Sequence, residues 1–162
     1  MTEISPLAEP HFAGLREALD AVAREQRYLA FTQAPPWEEC LAFYLDIVAY
    51  DRIHFVARVD GVVVGWCDVL PTHGQARAHV GTLGIGLVAA ARHRGLGTAL
   101  MQAALGKAWA QGLTRIELTV RADNLNAKAL YERMGFQAEG LQLRAFRVDG
   151  AYHDLITMAL LR

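Results

Sequence analysis

Arg92-His93-Arg94-Gly95-Leu96-Gly97-Thr98 joins an apolar run, Leu83 to Ala91, to an alanine-rich segment. That segment keeps Leu96, Leu100, Ala103, Ala104 and Trp109 on one helical stripe. The run before it has the apolarity of a strand buried on both faces, so the stretch is a basic glycine turn between a strand and a helix. Such a turn aims free backbone N–H groups at an anion: the first turn of a helix has donors without partners, and its dipole favours negative charge. Glycine lets a ligand come up to the backbone because no Cβ stands in the way. Arg92 and Arg94 add charge beside those donors. A Walker loop is excluded, because Gly106-Lys107 is followed by Ala108 inside the predicted helix. A dinucleotide fingerprint is excluded because Leu100 stands where a third glycine belongs and no βαβ series precedes it. Two readings are left: R-x-x-G-x-G closing a strand as a phosphate loop, or a glycine-rich helix start that binds nothing.

A second segment bears on the choice. Ile116-Glu117-Leu118-Thr119-Val120 alternates like a half-buried strand, and Asp123-Asn124 offers an N-cap. Ala127, Leu130, Tyr131 and Met134 follow at helical spacing until Gly135-Phe136 ends the helix. Taken singly, Asn124 is a cap and Tyr131 an aromatic at the edge of a core. The joint spacing N-x-x-A-x-x-L-Y-x-x-x-G-F, together with the glycine turn, resembles the GNAT superfamily of acetyl-CoA-dependent N-acetyltransferases. The resemblance runs from about Ile53 to the C-terminus and is weak before it.

Composition bounds the partners. The chain has 162 residues, is 53% hydrophobic and carries a formal net charge of −1, which fits one domain with a sizeable core over residues 1–162. The balanced charge argues against nucleic acid or an anionic membrane as partner. No apolar run reaches the ~18 residues that a spanning helix needs, and Met1 to Pro10 lacks a basic-then-apolar leader. Cys40 and Cys67 lie in apolar segments without redox or metal spacing, as expected of reduced thiols in the cytoplasm. The six histidines form no H-x-x-x-H pair, so no metal site is expected.

The periodicities predict a first strand at Thr2–Leu7 and helices at Pro10–Arg27 and Glu38–Ala49. Strands follow at Ile53–Val59 and Val62–Leu70, joined by the Asp60-Gly61 turn, and another at Arg77–Leu87. A last hairpin turns at Asp149-Gly150 between Leu141–Val148 and Ala151–Leu160. The fold class is α/β (α+β), in the order β-α-α-β-β-β-α-β-α-β-β. That is the order of the resembled fold, a mixed sheet of about seven strands with helices on both faces.

The resemblance implies acetyl-CoA as co-substrate and gives the residues their places. The pantetheine arm would pair with the open edge at Ile85, Gly86 and Leu87. The pyrophosphate would sit on the amides of Arg92, His93, Arg94, Gly95, Leu96, Gly97 and Thr98, and Asn124 would touch the cofactor arm. Gly84 and Gly86 fit either a bulge or close ligand approach, or tight packing against a neighbouring helix. Tyr131 matches the family tyrosine that protonates the leaving thiolate, since a phenol near pKa ~10 can protonate a thiol near ~8.5. Many relatives carry a base glutamate where this chain has Thr119. Glu117, two positions earlier on the same face, is the candidate base, reached through ordered water, with His79 on the neighbouring strand as the other.

Residues Glu139 to Asp154, with Met158, resemble bacterial small-amine acetyltransferases, including those acting on amino acids and phosphinothricin-like compounds. The acceptor expected from this likeness is a primary amine of a small molecule, amino-acid-like first. Arg144 and Arg147 are either ligands for its carboxylate or exposed hairpin charges, and Tyr28, Phe31 and Trp37 either wall its cleft or fill core. The alternatives are a protein N-terminal acetyltransferase of the ribosomal-protein type and a CoA-binding module without catalysis. By family analogy alone, a homodimer through the terminal strands is implied.

Overall fold

A computed structural model describes residues 1–162. Chain order runs β1 (Thr2–Pro6), α1 (Phe12–Arg24), α2 (Trp37–Ala49), β2 (Ile53–Val59), β3 (Val62–Pro71) and β4 (Val80–Leu87). It continues through α3 (Leu96–Ala110), β5 (Arg115–Arg121), α4 (Leu125–Arg133), β6 (Gln137–Val148) and β7 (Ala151–Leu161). The strands form one seven-stranded sheet in the order β1-β2-β3-β4-β5-β7-β6. Every neighbouring pair is antiparallel except β4 and β5, which run parallel. Element order and fold class are those the periodicity predicts.

Strand alternation divides the core into two layers. Ile53, Ala57, Cys67 and Val69 face α3 and α4, where they pack with Leu100, Met101, Ala104, Tyr131 and Phe136. Val56 and Trp66 face the other way, against Phe12, Leu15 and Val22 of α1 and Tyr44 and Ile47 of α2. His54 and Asp68 alternate onto this same α1–α2 side, where His54 packs edge-on against Phe43. Each helix presents one apolar stripe to its layer, as amphipathic helices on a sheet must.

Boundaries differ from expectation at both ends of the first helix, at the start of β4, and at β6, which begins at Gln137 rather than Leu141. The first helix begins at Phe12 after a 3-10 turn at Glu9–His11, and stops at Arg24. The third run does not start at Arg77: Gln75–Arg77 form a 3-10 turn, so His79 lies before β4 rather than in it. β4 is not buried on both faces. Leu83 is covered, but Gly84 to Leu87 are half-exposed, because no strand covers that edge beyond Thr82.

Candidate active site

The site begins where the sheet parts. β4 and β5 pair at three positions only, Val80 with Arg115, Gly81 with Ile116 and Thr82 with Glu117. Beyond Thr82 the two strands diverge, and alternate backbone groups of β4 are left without a strand partner. The gap opens into a cleft of about 330 Å³. Its walls bring together most of the residues singled out in the sequence: Ile85, Gly86 and Leu87, then Arg92, His93, Gly95, Gly97 and Thr98, and across the gap Thr119, Asn124 and Tyr131. A larger hollow of about 490 Å³ lies at the opposite end of β4, beside Val80 and Arg52, remote from these groups.

The turn has the geometry of an anion seat. Gly95 caps α3 in the left-handed region at φ 80° and has no side-chain cap, so the N–H groups of Leu96, Gly97 and Thr98 have no partner within the helix. His93 also sits at positive φ, 63°. Of the predicted loop residues, Arg94 is exposed and Leu96 is buried, and neither side chain lines the cleft.

Arg92 departs from its expected role. Its Nη1 donates to Glu25 Oε1 at 2.8 Å and its Nε to the Leu87 carbonyl at 3.0 Å, and its guanidinium lies 4.7 Å from the Tyr28 ring centroid. The Glu25 carboxylate raises the Arg92 pKa, so the charge is fixed but already paired. Arg92 joins the glycine turn to the end of α1, and the seat relies on backbone amides.

Asn124 serves as the cap: its Oδ1 accepts the Ala127 N–H at 3.2 Å. It lines the cleft as well, which leaves its amide NH₂ free for a ligand. Tyr131 is 7% exposed, packs against Phe136, and its phenol is pushed upward by burial and then by nearby Cys67. No hydrogen bond contributes to that shift. The hydroxyl therefore stays protonated throughout the neutral range, the state required of an acid.

Glu117 is placed elsewhere. Its carboxylate accepts from Arg77 at 2.9 and 3.0 Å and from Arg115 at 2.9 Å, and it is not on the cleft wall. Hydrogen bonds, first from Arg115 and then from Arg77, hold it below the usual glutamate range, which makes it a weak proton acceptor. Thr119, two residues on, lines the cleft together with Val120. Arg144 and Arg147 stack on Tyr152 of the terminal hairpin, 4.8 and 5.4 Å from its centroid. Phe31 and Trp37 are 51% and 39% exposed and off the wall, which leaves Tyr28 as the aromatic of that segment lining the cleft.

The glycines of β4 are explained by neither a helix nor a ligand alone. A Cβ on Gly86 would fall 2.4 Å from the Trp66 ring, and one on Gly84 would fall 3.0 Å from Asp68 Oδ1. Side chains of β3 thus lie over the bare backbone of β4.

Arg121 went unnoticed in the sequence. It is buried, donates to the Gln26 carbonyl at 3.0 Å, and reaches Asp123 and His153 Nδ1. The signal was its register: with Glu117 and Thr119 it lies on the β5 face that looks toward α1.

The acetyltransferase (GNAT) family profile matches residues 16–136. The chain belongs to the GNAT acetyltransferase family. Among relatives in that family, the L-amino acid N-acetyltransferase AaaT of Escherichia coli K12 is 35% identical over 106 residues, which cover 64% of this chain and 65% of that enzyme, just under two thirds of its length. The N-alpha-acetyltransferase RimI of Mycobacterium tuberculosis is 33% identical over 128 residues, covering 79% of this chain and 77% of that one. A phosphinothricin acetyltransferase from Sinorhizobium meliloti, solved with acetyl-CoA, superposes with a TM-score of 0.91 at 18% identity, over 99% of this chain and 88% of that chain. The family match spans the parted strands, the glycine turn and the cleft tyrosine.

Proposed function

We propose that this protein transfers the acetyl group of acetyl-CoA to the primary amine of a small, amino-acid-like molecule. One observation carries the reading: the gap between β4 and β5 leads from the uncapped start of α3 to a buried, protonated Tyr131 in one continuous cleft.

The chain's own groups fit acetyl-CoA. Unpartnered amides of Leu96, Gly97 and Thr98 suit its pyrophosphate, and the free edge at Ile85 to Leu87 suits an amide-bearing arm laid alongside as an added strand. Bound there, the thioester supplies the acetyl donor. Tyr131 then stands as the acid for the departing sulfur, neutral until that moment because burial disfavours its phenolate.

The small acceptor is favoured by how the other side of the gap is closed. Glu25 and Gln26, at the end of α1, are gripped by Arg92 from one side of the gap and Arg121 from the other. A bridged roof leaves less room for a peptide than for a free amine. The likeness to RimI supports the second reading, an N-terminal amine of a protein. We place the reaction in the cytoplasm, where Cys40 and Cys67 remain free thiols, and infer a homodimer in which exposed Leu141 and Leu143 of edge strand β6 become covered.

The test is thiol release from acetyl-CoA with methionine, phenylalanine, spermidine and a ribosomal N-terminal peptide at equal ionic strength. We expect the free amino acids to give the highest kcat/KM. A tenfold lead for the peptide or spermidine, about 1.4 kcal/mol in transition-state binding, overturns the small-acceptor reading. No release with any amine overturns the transferase reading.

A further inference from the structure

With Glu117 tied to two arginines and His93 set at the glycine turn beside the anion seat, the row of residues one step into the gap offers a group to take the amine's proton. Asp68 of β3 pairs with Gly84 of β4. Since Thr82 pairs with Glu117, the residue standing opposite Gly84 across the gap is Thr119. Asp68, Gly84 and Thr119 therefore form one line across the sheet on the α1–α2 side. Gly84 has no side chain, and the only atom a Cβ there would meet within 4 Å is Asp68 Oδ1, at 3.0 Å. The carboxylate lies over the bare strand, a single strand's width from the opening and behind the wall that Ile85, Gly86 and Thr119 form. We propose that Asp68 takes the proton from the acceptor amine, reaching the reacting centre across Gly84.

The surroundings fit that task and little else. Asp68 is 8% exposed and has no lysine or arginine partner, unlike Glu117. Behind it His54 is 3% exposed, with Nδ1 at 3.4 Å from Asp68 Oδ2 and neither ring nitrogen hydrogen-bonded. From α2 the Tyr44 hydroxyl faces the pair, also without a partner, with Cys40 and Arg16 beyond it, and Cys67 is the adjacent residue of β3. β4 contributes only the Gly84 backbone N–H. Burial lowers His54 to about 4 and raises Asp68 to about 7, the Gly84 N–H partly offsetting the rise. At neutral pH the imidazole is therefore uncharged, and the carboxyl can both accept and release a proton.

The step balances within the reading above, on which it rests. The amine nitrogen forms its bond to the acetyl carbon and gives a proton to Asp68. The carbon–sulfur bond breaks, and the sulfur takes the proton of Tyr131. Asp68 then releases a proton to solvent and Tyr131 regains one. His54 is a positioning residue whose buried ring packs behind the carboxylate and keeps water from its back.

Asp68→Asn keeps the shape of the side chain and removes the base. Measured with acetyl-CoA and the best amine of the panel, kcat should fall ~10²-fold or more, while CoA affinity by calorimetry stays within twofold. In the wild type kcat should rise with pH through about 7, and that limb should vanish in the variant. Gly84→Ala gives an independent reading, because its Cβ displaces the carboxylate while leaving the charge in the chain: kcat should fall with CoA affinity kept. The assignment is overturned if either folded variant keeps kcat within threefold, or if the pH limb survives in Asp68→Asn. A wild type that binds CoA and acetylates nothing defeats the transferase reading instead, a separate outcome.

Discussion

Arg92 and Glu25 are separated by 67 positions in sequence, yet their guanidinium and carboxylate meet face to face, and the contact joins the glycine turn to the residue that caps the end of α1. Arg121 holds the next residue, Gln26, by its carbonyl from the far side of the gap. Glu25→Gln should therefore loosen the roof more than the cofactor seat. We expect KM for the amine to rise several-fold and CoA affinity to hold within twofold. The stability cost should stay within ~1 kcal/mol, because both partners of the pair keep some solvent contact. Steady-state kinetics paired with calorimetry decides; an unchanged amine KM removes the roof from acceptor binding.

Gly97→Glu should abolish CoA binding. Gly97 is buried at the anion seat, a Cβ there already comes within 3.2 Å of Leu130 Cδ2, and a carboxylate opposes the helix-terminus attraction worth ~0.3–1 kcal/mol. Calorimetry on a variant shown folded by circular dichroism checks it. Undiminished affinity would move the pyrophosphate off α3.

Tyr131→Phe removes a hydroxyl and leaves the ring against Phe136. Folding and CoA affinity should survive while kcat drops ~10²-fold or more, the scale of a positioned acid. Near-complete retention of kcat would leave Tyr131 a packing residue.

Asp68 and His54 pull stability in opposite directions with pH. The folded value of Asp68, about 7, exceeds its ordinary 3.8, so its contribution is full below 3.8 and is lost as pH climbs to about 7. His54 is lowered from 6.5 to about 4, so its contribution is full above 6.5 and is lost as pH falls toward 4. In Asp68→Asn only the histidine limb remains. The stability of the variant relative to wild type should then improve steadily from pH 4 to 7, as read by urea midpoints across that range. A difference that does not change with pH would mean that Asp68 is not held protonated by burial.

Local chemistry made the fold legible. The glycine turn, the N-cap at Asn124 and the Asp-Gly turns at 60–61 and 149–150 each announce themselves within a few residues. The same locality hides contacts made from far away in the chain. Arg92 looks like a phosphate ligand until Glu25 comes beside it, and Glu117 looks like a base until Arg77, forty positions earlier, claims its oxygens. Asp68 reads as an ordinary polar residue in a strand, because its meaning depends on two registers at once: β3 against β4, and β4 against β5.

The three-rung ladder between β4 and β5 has a consequence for the life of the protein in the cell. It is the sole hydrogen-bonded seam between a four-stranded half-sheet and a three-stranded one, and it stops where the cofactor arm would lie. A ligand that binds the folded chain and bridges the two halves adds RT ln(1 + [L]/Kd) to stability, about 2.7 kcal/mol at a hundredfold excess over Kd. Amides of Ile85, Leu87 and Leu118 to Val120 should then exchange with solvent more slowly as acetyl-CoA rises. The supply of the cofactor, acetylated or free, would then set how long each copy outlasts the proteases around it.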